Sequence, residues 1–223
     1  MTGAGPPRVA VLDHGSGNLR SAVRALLRAG ARVELTDDPD RARDADGLVV
    51  PGVGAFADCM AGLHRIGAVK MIGDWAADRR PLLGICVGFQ VLFGAGTEHG
   101  ETTSGCGVLT GAVTRLDATR LPHMGWNTVE PGVGGRFLPT SLEERGGGTR
   151  YYFVHSYGVP AGSDVRIAAT GAPVVVHTSE HDGARFVAAV EASSLLATQF
   201  HPEKSADSGA ALLHGWVSTL PTG

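Results

Sequence analysis

Residues 81–93 read PLLGICVGFQVLF, and this stretch decides the fold. Its apolar start predicts a buried strand over 82–85, and the pattern from Val87 to about Phe93 predicts a helix. A strand that turns sharply into a helix needs a strained residue at the turn, here Cys86. The glycines two positions either side of Cys86 would let neighbouring backbone approach closely.

The first half of the chain alternates short apolar runs with helical stretches, such as LRSAVRALLRAG at 19–30 and a helical region at 56–79. Parallel strands need crossover connections, so this alternation predicts an α/β fold with a central, mostly parallel sheet flanked by helices. Closely spaced β-like runs over 107–200, including VRIAAT at 165–170, predict an antiparallel or mixed extension of the sheet. A final helix is expected over about 206–220.

The first helix shows a clear apolar face. Leu19, Val23, Leu26 and Leu27 fall on one side of it, which predicts that this side packs against the sheet. Asn18 precedes the first turn and is placed as the N-cap residue.

Length and charge limit the possible functions. The chain has 223 residues, 43% of them hydrophobic, so we expect residues 8–223 to form a single domain after a flexible tail, 1–7. A net charge of −3 without any Lys/Arg block argues against nucleic acid as a partner. Apolar runs stop well short of the ~18 residues that cross a bilayer, so no membrane partner and a cytoplasmic location are expected.

Cysteine usage and motif content point away from metal and disulfide chemistry. Three cysteines, Cys59, Cys86 and Cys106, have no paired spacing, which argues against a disulfide framework. The sequence has no CxxC and no HExxH, so we expect no structural zinc and no cofactor. Cys59 and Cys106 are interpreted as small buried residues.

Cys86 has two interpretations. It is either another small buried residue or a nucleophile at the strand-to-helix turn. A helix that starts directly after it would favour the thiolate, and the amide of Val87 is placed to donate to an oxyanion. The flanking glycines favour the nucleophile.

A thiolate nucleophile needs a base, and the base needs a group that holds it. Residues 199–205 read QFHPEKS after a strand-like run. If this segment is extended, with Pro202 keeping it out of the helical region, His201 and Glu203 point to the same side. Cys86, His201 and Glu203 would then make a triad by role. The alternative is that HPE only marks a turn before the last helix.

The segments GICVGFQ at 84–90 and QFHPEKS at 199–205 together resemble the class I, or triad, glutamine amidotransferases. The resemblance implies that the triad hydrolyses the side-chain amide of glutamine and that the ammonia passes to a synthase. It also implies that PGVGAF at 51–56 is an oxyanion-strand loop, in which Val53 or Gly54 supplies a second oxyanion donor. In this family the loop tends to rest in an inactive setting until the synthase is loaded.

The same resemblance implies contacts with the substrate, L-glutamine. It places them at Gly52, Gln90, His155, Ser156 and Tyr157. Two departures from the family pattern are visible. Val87 stands where leucine is usual, and His14 stands where an aromatic or small residue is commoner, a change expected to alter a contact at the partner surface.

Three further motifs, DHGSGNL, LPHMGWN and YFVHSY, resemble the glutaminase subunits of imidazole glycerol phosphate synthases, which act in histidine biosynthesis. This implies a heterodimer with a cyclase subunit. The implied partner surface contains Asn18, Trp126, Tyr152 and Lys204. Taken alone, Trp126 is either a half-buried packing residue or an interface anchor. Lys204 is either a solvated lysine or part of this surface, and strand parity predicts that it points away from Cys86.

Three alternatives stay open. A glutaminase of another synthase, such as one for pyridoxal phosphate synthesis, would share the triad but should lack both HMGWN and FVHSY. A cysteine peptidase of related architecture would keep the turn around its nucleophile without the HPE ending. A non-catalytic binding subunit would have a decayed site, yet every expected triad and loop residue is present.

Overall fold

The computed structural model describes residues 5–138 and 149–221. Its strands are β1 Arg8–Leu12, β2 Arg32–Thr36, β3 Gly47–Gly52, β4 Leu82–Cys86, β5 Phe93–Glu98, β6 Glu101–Ser104, β7 Leu109–Arg115, β8 His123–Thr128, β9 Arg150–His155, β10 Tyr157–Gly158, β11 Val175–His181, β12 Ala184–Glu191 and β13 Leu195–Thr198. Its helices are α1 Leu19–Arg28, α2 Pro39–Arg43, α3 Phe56–Arg65, α4 Ala68–Ala77, α5 Val87–Gln90 and α6 Ala206–Val217.

A seven-stranded sheet in the order β11-β12-β13-β4-β3-β1-β2 forms the centre of the molecule. Strands β2, β1, β3, β4 and β13 are parallel, and β12 and β11 extend one edge in antiparallel pairing. Both parts of the predicted α/β fold are therefore confirmed. The remaining strands form two smaller sheets, β10-β7-β5-β6 and β8-β9. The segment 165–170, predicted as β-like, makes only isolated bridges through Arg166 and Ile167.

Two helix predictions need correction. The helix after Cys86 ends at Gln90, not near Phe93. The chain leaves it because the carbonyls of residues 91–93 accept backbone hydrogen bonds from residues 106–109, and Phe93 opens β5. The predicted helical region 56–79 is two helices, α3 and α4, separated at Gly67, whose φ of 69° is in the left-handed region.

Helix α1 packs on α6 and the sheet through a narrower face than predicted. Leu26 is buried and Leu19 and Val23 are partly buried, but Leu27 is 52% exposed, so its assignment to the packed face was wrong. Leu27 is turned about 100° from Leu26, which lies at the centre of the apolar stripe. Within the described residues the Asn18 side chain makes no capping hydrogen bond.

Parts of the domain prediction lie outside the described residues. These are residues 1–4 of the predicted tail and residues 139–148 and 222–223 of the predicted domain, so the division into a tail and a single domain stays a prediction. Among the helices in the described ranges, none is long and apolar enough to cross a membrane.

Candidate active site

Cys86 stands at a sharp turn between a strand and a helix. It is the last residue of β4, α5 begins at Val87, and its backbone angles are φ 56° and ψ −112°, unusual for a residue with a side chain. A Cβ atom added at Gly88 would overlap the carbonyl oxygen of Val50 on the neighbouring strand. One added at Gly84 would lie 3.0 Å from the Cα atom of Phe89. Both glycines are therefore needed for the close packing at the turn.

His201 and Glu203 meet beside Cys86, as the sequence predicts. His201 Nδ1 lies 2.9 Å from Glu203 Oε1, and the Cys86 side chain is close enough to His201 to raise the pKa of the imidazole. The predicted extended segment is nevertheless wrong, because Pro202–Lys204 forms a 3-10 turn. Only His201 is extended, and proline is favoured at the first position of a helical turn because its φ is already suitable.

Strand β9 holds the His201 segment in place. The His201 amide donates to the Tyr152 carbonyl at 2.9 Å, and the Tyr152 amide donates to Ser205 Oγ at 2.9 Å. The Ser205 hydroxyl in turn donates to the His201 carbonyl at 2.6 Å and is fully buried. This reciprocal set of bonds fixes the backbone from which the imidazole projects.

The surroundings of Cys86 and His201 differ from those of the other two cysteines, Cys59 and Cys106. Burial alone would lower the pKa of His201, but the Cys86 and Glu203 side chains outweigh it and raise this pKa to about 10. The imidazole is then protonated at neutral pH, which places a positive charge beside the Cys86 side chain. Burial raises the pKa of both Cys59 and Cys106 to about 12, so these thiols are not nucleophiles at neutral pH.

A cavity of about 260 Å³ opens in front of the Cys86 thiol. The predicted site residues on its wall are Cys86, Val87, Val53, Gly54, Gln90, His155, Ser156, Tyr157, His201 and Lys204. A larger cavity, about 390 Å³, lies near Leu82 and Leu195 at the starts of β4 and β13, and its wall contains none of the predicted site residues. Within residues 5–138 and 149–221, no group of three or more His, Cys, Asp or Glu residues is arranged to hold a metal ion.

Two predicted positions differ in the structure. Gly52 lies behind the turn, paired with Cys86 across the sheet, where an added Cβ would come within 2.6 Å of the Gly88 nitrogen. Its direct contact with a substrate is therefore not supported by its position. Lys204 lies on the wall of the cavity that holds Cys86, not on the far side, because the 3-10 turn removes the strand parity on which that prediction rested.

Sequence reasoning missed two side chains of the site, Glu98 on the cavity wall and Gln199 beside Cys86. Glu98, at the end of β5, lies on the wall, and its Oε2 accepts the Phe56 amide at the start of α3 at 2.9 Å. Because the helix after Cys86 was predicted to extend to about Phe93, strand β5 was not predicted, and neither was the position of the Glu98 carboxylate. Gln199 is fully buried, and its amide nitrogen lies 3.9 Å from Cys86 Sγ. Its position two residues before His201 was the one signal in the sequence that it would lie near the site.

The loop 51–54 rests on the DHGSGNL segment. The Ser16 hydroxyl donates to the Val53 carbonyl, and His14 Nε2 lies 2.7 Å from the Pro51 carbonyl. His14 is buried, and burial lowers its pKa, so it is neutral and Nε2 is the donor. The expected role of His14 at the partner surface is wrong, since it lies beneath this loop.

An exposed aromatic patch adjoins the cavity. Met124 and Trp126 on β8 are 62% and 45% exposed, and the Trp126 ring packs edge-on against Tyr152 with centroids 6.2 Å apart. Two residues further along β9, Val154 lies on the cavity wall. Large exposed apolar side chains beside a cavity are typical of interaction surfaces. Tyr152 and Trp126 themselves lie outside the cavity wall, as does Asn18.

The sequence model described as glutamine amidotransferase class-I matches residues 10–216. The chain belongs to the class-I glutamine amidotransferases. Among similar members of this family is the imidazole glycerol phosphate synthase subunit HisH of Corynebacterium diphtheriae, 53% identical over 96% of this chain and 99% of the relative. The HisH subunit of Mycolicibacterium paratuberculosis is 54% identical over 95% of this chain and 98% of its own.

Solved structures show the same amidotransferase fold at much lower identity. The structure of PurLQS from Thermotoga maritima contains a chain with a TM-score of 0.68 and 20% identity, which covers 96% of this chain and 98% of that one. A crystal structure titled glutamine amidotransferase gives a TM-score of 0.65 and 21% identity, over 90% and 93% of the two chains. At this identity the likeness concerns the fold alone.

Proposed function

We propose that this chain is the glutaminase subunit of an imidazole glycerol phosphate synthase and that Cys86, His201 and Glu203 are its catalytic triad. The near full-length identity with HisH subunits supports the assignment to that synthase. One observation carries the mechanism: a cysteine at a strained turn touches a buried imidazole that a carboxylate holds at 2.9 Å.

The proposed reaction has two steps. The Cys86 thiolate attacks the carboxamide carbon of glutamine, and the His201 imidazolium gives its proton to the departing ammonia. Water then hydrolyses the glutamyl thioester, with His201 acting as base. The Val87 amide stabilises the oxyanion in both steps, together with an amide from Val53 or Gly54 on the facing loop.

The cavity wall suits the polar ends of glutamine. Glu98 offers a carboxylate to the α-ammonium group, while Lys204 lies on the same wall with the opposite charge. The side chain of Gln90 is buried and donates to the Tyr157 carbonyl at 2.8 Å, so it orders the wall around the substrate. Ser156 and the backbone of Tyr157 complete this side of the pocket.

A cyclase subunit is the proposed partner. The exposed patch of Met124 and Trp126, with Tyr152 beside it, offers aromatic and sulfur-containing side chains of the kind enriched at protein interfaces. Lys204 at the cavity wall and Asn18 at the start of α1 are proposed to belong to the same surface. Docking there would let ammonia leave the thiol site without entering bulk solvent.

The deciding experiment compares glutamine consumed with imidazole glycerol phosphate formed. The purified chain is assayed alone and with the cyclase subunit and its ribonucleotide ligand. We expect slow hydrolysis by the isolated chain and near-equal amounts of glutamine consumed and product formed in the complex. Full hydrolysis by the chain alone, with no response to the partner, would contradict the proposal of a coupled subunit.

The proposed partner surface is tested with Lys204→Glu. We expect weaker association with the cyclase subunit and less product per glutamine consumed, because a negative charge replaces a positive one at the cavity mouth. Lys70→Glu, at an exposed position on α4, is the matched control and should leave both quantities unchanged. Wild-type affinity and coupling in Lys204→Glu would mean that the docking surface lies elsewhere.

A further inference from the structure

A chain of hydrogen bonds joins the exposed strand β8 to the cavity wall. His123 Nδ1 lies 3.0 Å from His155 Nε2, and His155 Nδ1 lies 2.9 Å from the Tyr157 carbonyl. At the other end, the Asn127 side-chain nitrogen lies 3.2 Å from His123 Nε2. Both imidazoles are buried, and His155 and Tyr157 lie on the wall of the cavity.

The orientation of the Asn127 amide is fixed by the backbone. Its Oδ1 accepts the Thr128 amide at 2.8 Å, and its Nδ2 donates to the Glu180 carbonyl at 2.8 Å. A flipped side chain would place an oxygen against the Glu180 carbonyl. Asn127 therefore donates to His123 Nε2, which must be an acceptor.

The Tyr157 carbonyl, at the other end of the series, fixes which nitrogens of His155 and His123 donate and which accept. A carbonyl can only accept, so His155 Nδ1 carries a hydrogen and donates to Tyr157. Neutral His155 then presents Nε2 as an acceptor, and His123 Nδ1 must be the donor that it faces. The two ends of this hydrogen-bond series, Asn127 and the Tyr157 carbonyl, thus require the same tautomer in His123 and His155, with the hydrogen on Nδ1.

Both imidazoles are neutral. Burial and the nearby His181 lower the pKa of His123 to about 4. Burial also lowers the pKa of His155, to about 3, despite its bond to the Tyr157 carbonyl. A proton added to His155 would set two N–H groups against each other, so the bond directions and the neutral state agree.

This series of hydrogen bonds connects the exposed strand β8 with the glutamine pocket. His123 and His155 are directly opposite each other in the two-stranded sheet β8-β9. This sheet meets the edge strand β11 of the seven-stranded sheet through the bond from Asn127 to the Glu180 carbonyl and the Glu130–Thr178 bridge. Strand β8 also carries the exposed Met124 and Trp126. The Tyr157 carbonyl at the far end accepts Gln90 as well, so a shift of β8 would reach both sides of the pocket.

We propose that His123 is a positioning residue that transmits partner docking at β8 to the glutamine pocket through His155 and the Tyr157 carbonyl. The proposal rests on the function proposed above, in which a cyclase subunit binds this surface. His123 lies outside the cavity wall and acts through His155.

The test is a pair of substitutions at His123. In His123→Asn the amide nitrogen takes the place of Nδ1 and can still donate to His155, whereas His123→Phe keeps an aromatic ring without any donor. We expect His123→Phe to raise the KM for glutamine about tenfold in the complex while kcat stays within about threefold, so that activation by the partner, measured as kcat/KM, falls about tenfold. His123→Asn should restore KM and activation to within about twofold of wild type.

His181→Phe is the matched control, because His181 stacks on His123 with centroids 4.2 Å apart but lies outside the hydrogen-bonded chain. It should leave KM and activation within about twofold of wild type. Wild-type values in a folded His123→Phe variant, or equal defects in His123→Phe and His123→Asn, would overturn the proposal.

A direct measurement covers the case in which His123→Phe does not fold. Nitrogen NMR of the wild-type chain should show hydrogen on Nδ1 of both His123 and His155, and hydrogen on Nε2 of either one would overturn the hydrogen-bonded chain. Failure of the proposed function is distinguishable, because it would appear as a wild-type complex in which the partner does not activate glutamine hydrolysis.

Discussion

Two groups of buried histidines flank the same cavity in opposite charge states. His201, 3% exposed, has its pKa raised to about 10 because the Cys86 and Glu203 side chains outweigh the effect of burial. His123 and His155, 3% and 7% exposed, have theirs lowered to about 4 and about 3. Burial is nearly equal in the three, so the partners decide the charge.

The partners differ in a simple way. His201 faces the side chains of Glu203 and Cys86, and both raise its pKa. His155 faces a carbonyl and a neutral imidazole, which satisfy its hydrogen bonds without adding negative charge. His201 is therefore protonated at neutral pH, whereas His123 and His155 are neutral.

The largest effect is expected from Cys86→Ala, which removes both the nucleophile and one source of the raised His201 pKa. Glutamine hydrolysis should fall at least about a thousandfold. The His201 pKa should move down toward its ordinary range, which an NMR titration of the imidazole measures. Cys106→Ala, at a cysteine outside the cavity wall, is the control and should change neither quantity. An unchanged His201 titration in Cys86→Ala would break the comparison.

A smaller effect is expected from Glu203→Gln, which keeps an oxygen near His201 Nδ1 but removes the charge. Hydrolysis should fall about a hundredfold because the imidazolium loses its counterion. The His201 pKa should also fall, since the Glu203 carboxylate is one of the groups that raise it. Measured kcat together with the same NMR titration checks both. Full activity in Glu203→Gln would exclude Glu203 from the triad.

The neutral histidines predict a loss of stability in acid. Their pKa values in the folded state lie below the unfolded value near 6.5, so protons bind the unfolded chain preferentially. Stability is complete above about pH 6.5 and is lost as the pH falls toward 4. For His123 alone we expect a loss of about 3 kcal/mol in the free energy of unfolding by pH 4.

Urea unfolding at several pH values measures this loss. His123→Asn removes one of the two titrating groups while keeping a donor to His155, so its stability should fall less steeply between pH 6.5 and 4. The acidic side chains of the protein titrate equally in both proteins and cancel in the difference. The same slope for wild type and His123→Asn would show that the pKa of His123 is the same in the folded and unfolded states.

Much of the site was predictable because its chemistry lies in short segments. The glycines around Cys86 specify a tight turn through backbone sterics that any fold must satisfy. His201 and Glu203 are two residues apart, so their pairing depends little on the rest of the chain. Even so, the pairing was predicted from an extended backbone, whereas Pro202–Lys204 forms a 3-10 turn.

Other site residues were not predictable, because their roles come from contacts distant in sequence. Glu98 reaches the cavity from β5, which exists because residues 91–93 pair with residues 106–109. His14 looked like a surface residue until the fold placed it under the Pro51 carbonyl. The charge states of His123 and His155 depend on partners that only folding brings together.

The class of fold, the sharp turn at Cys86 and the three residues of the proposed triad could be predicted from the sequence, since alternating apolar runs and closely spaced residues express local geometry. The tertiary structure decided where the helix after Cys86 ends, which face of the 3-10 turn carries Lys204, and how His123 is joined to the pocket. Hydrogen-bond partners and burial come from strands far apart in the chain, and these set both the charge of each histidine and the bonds it makes.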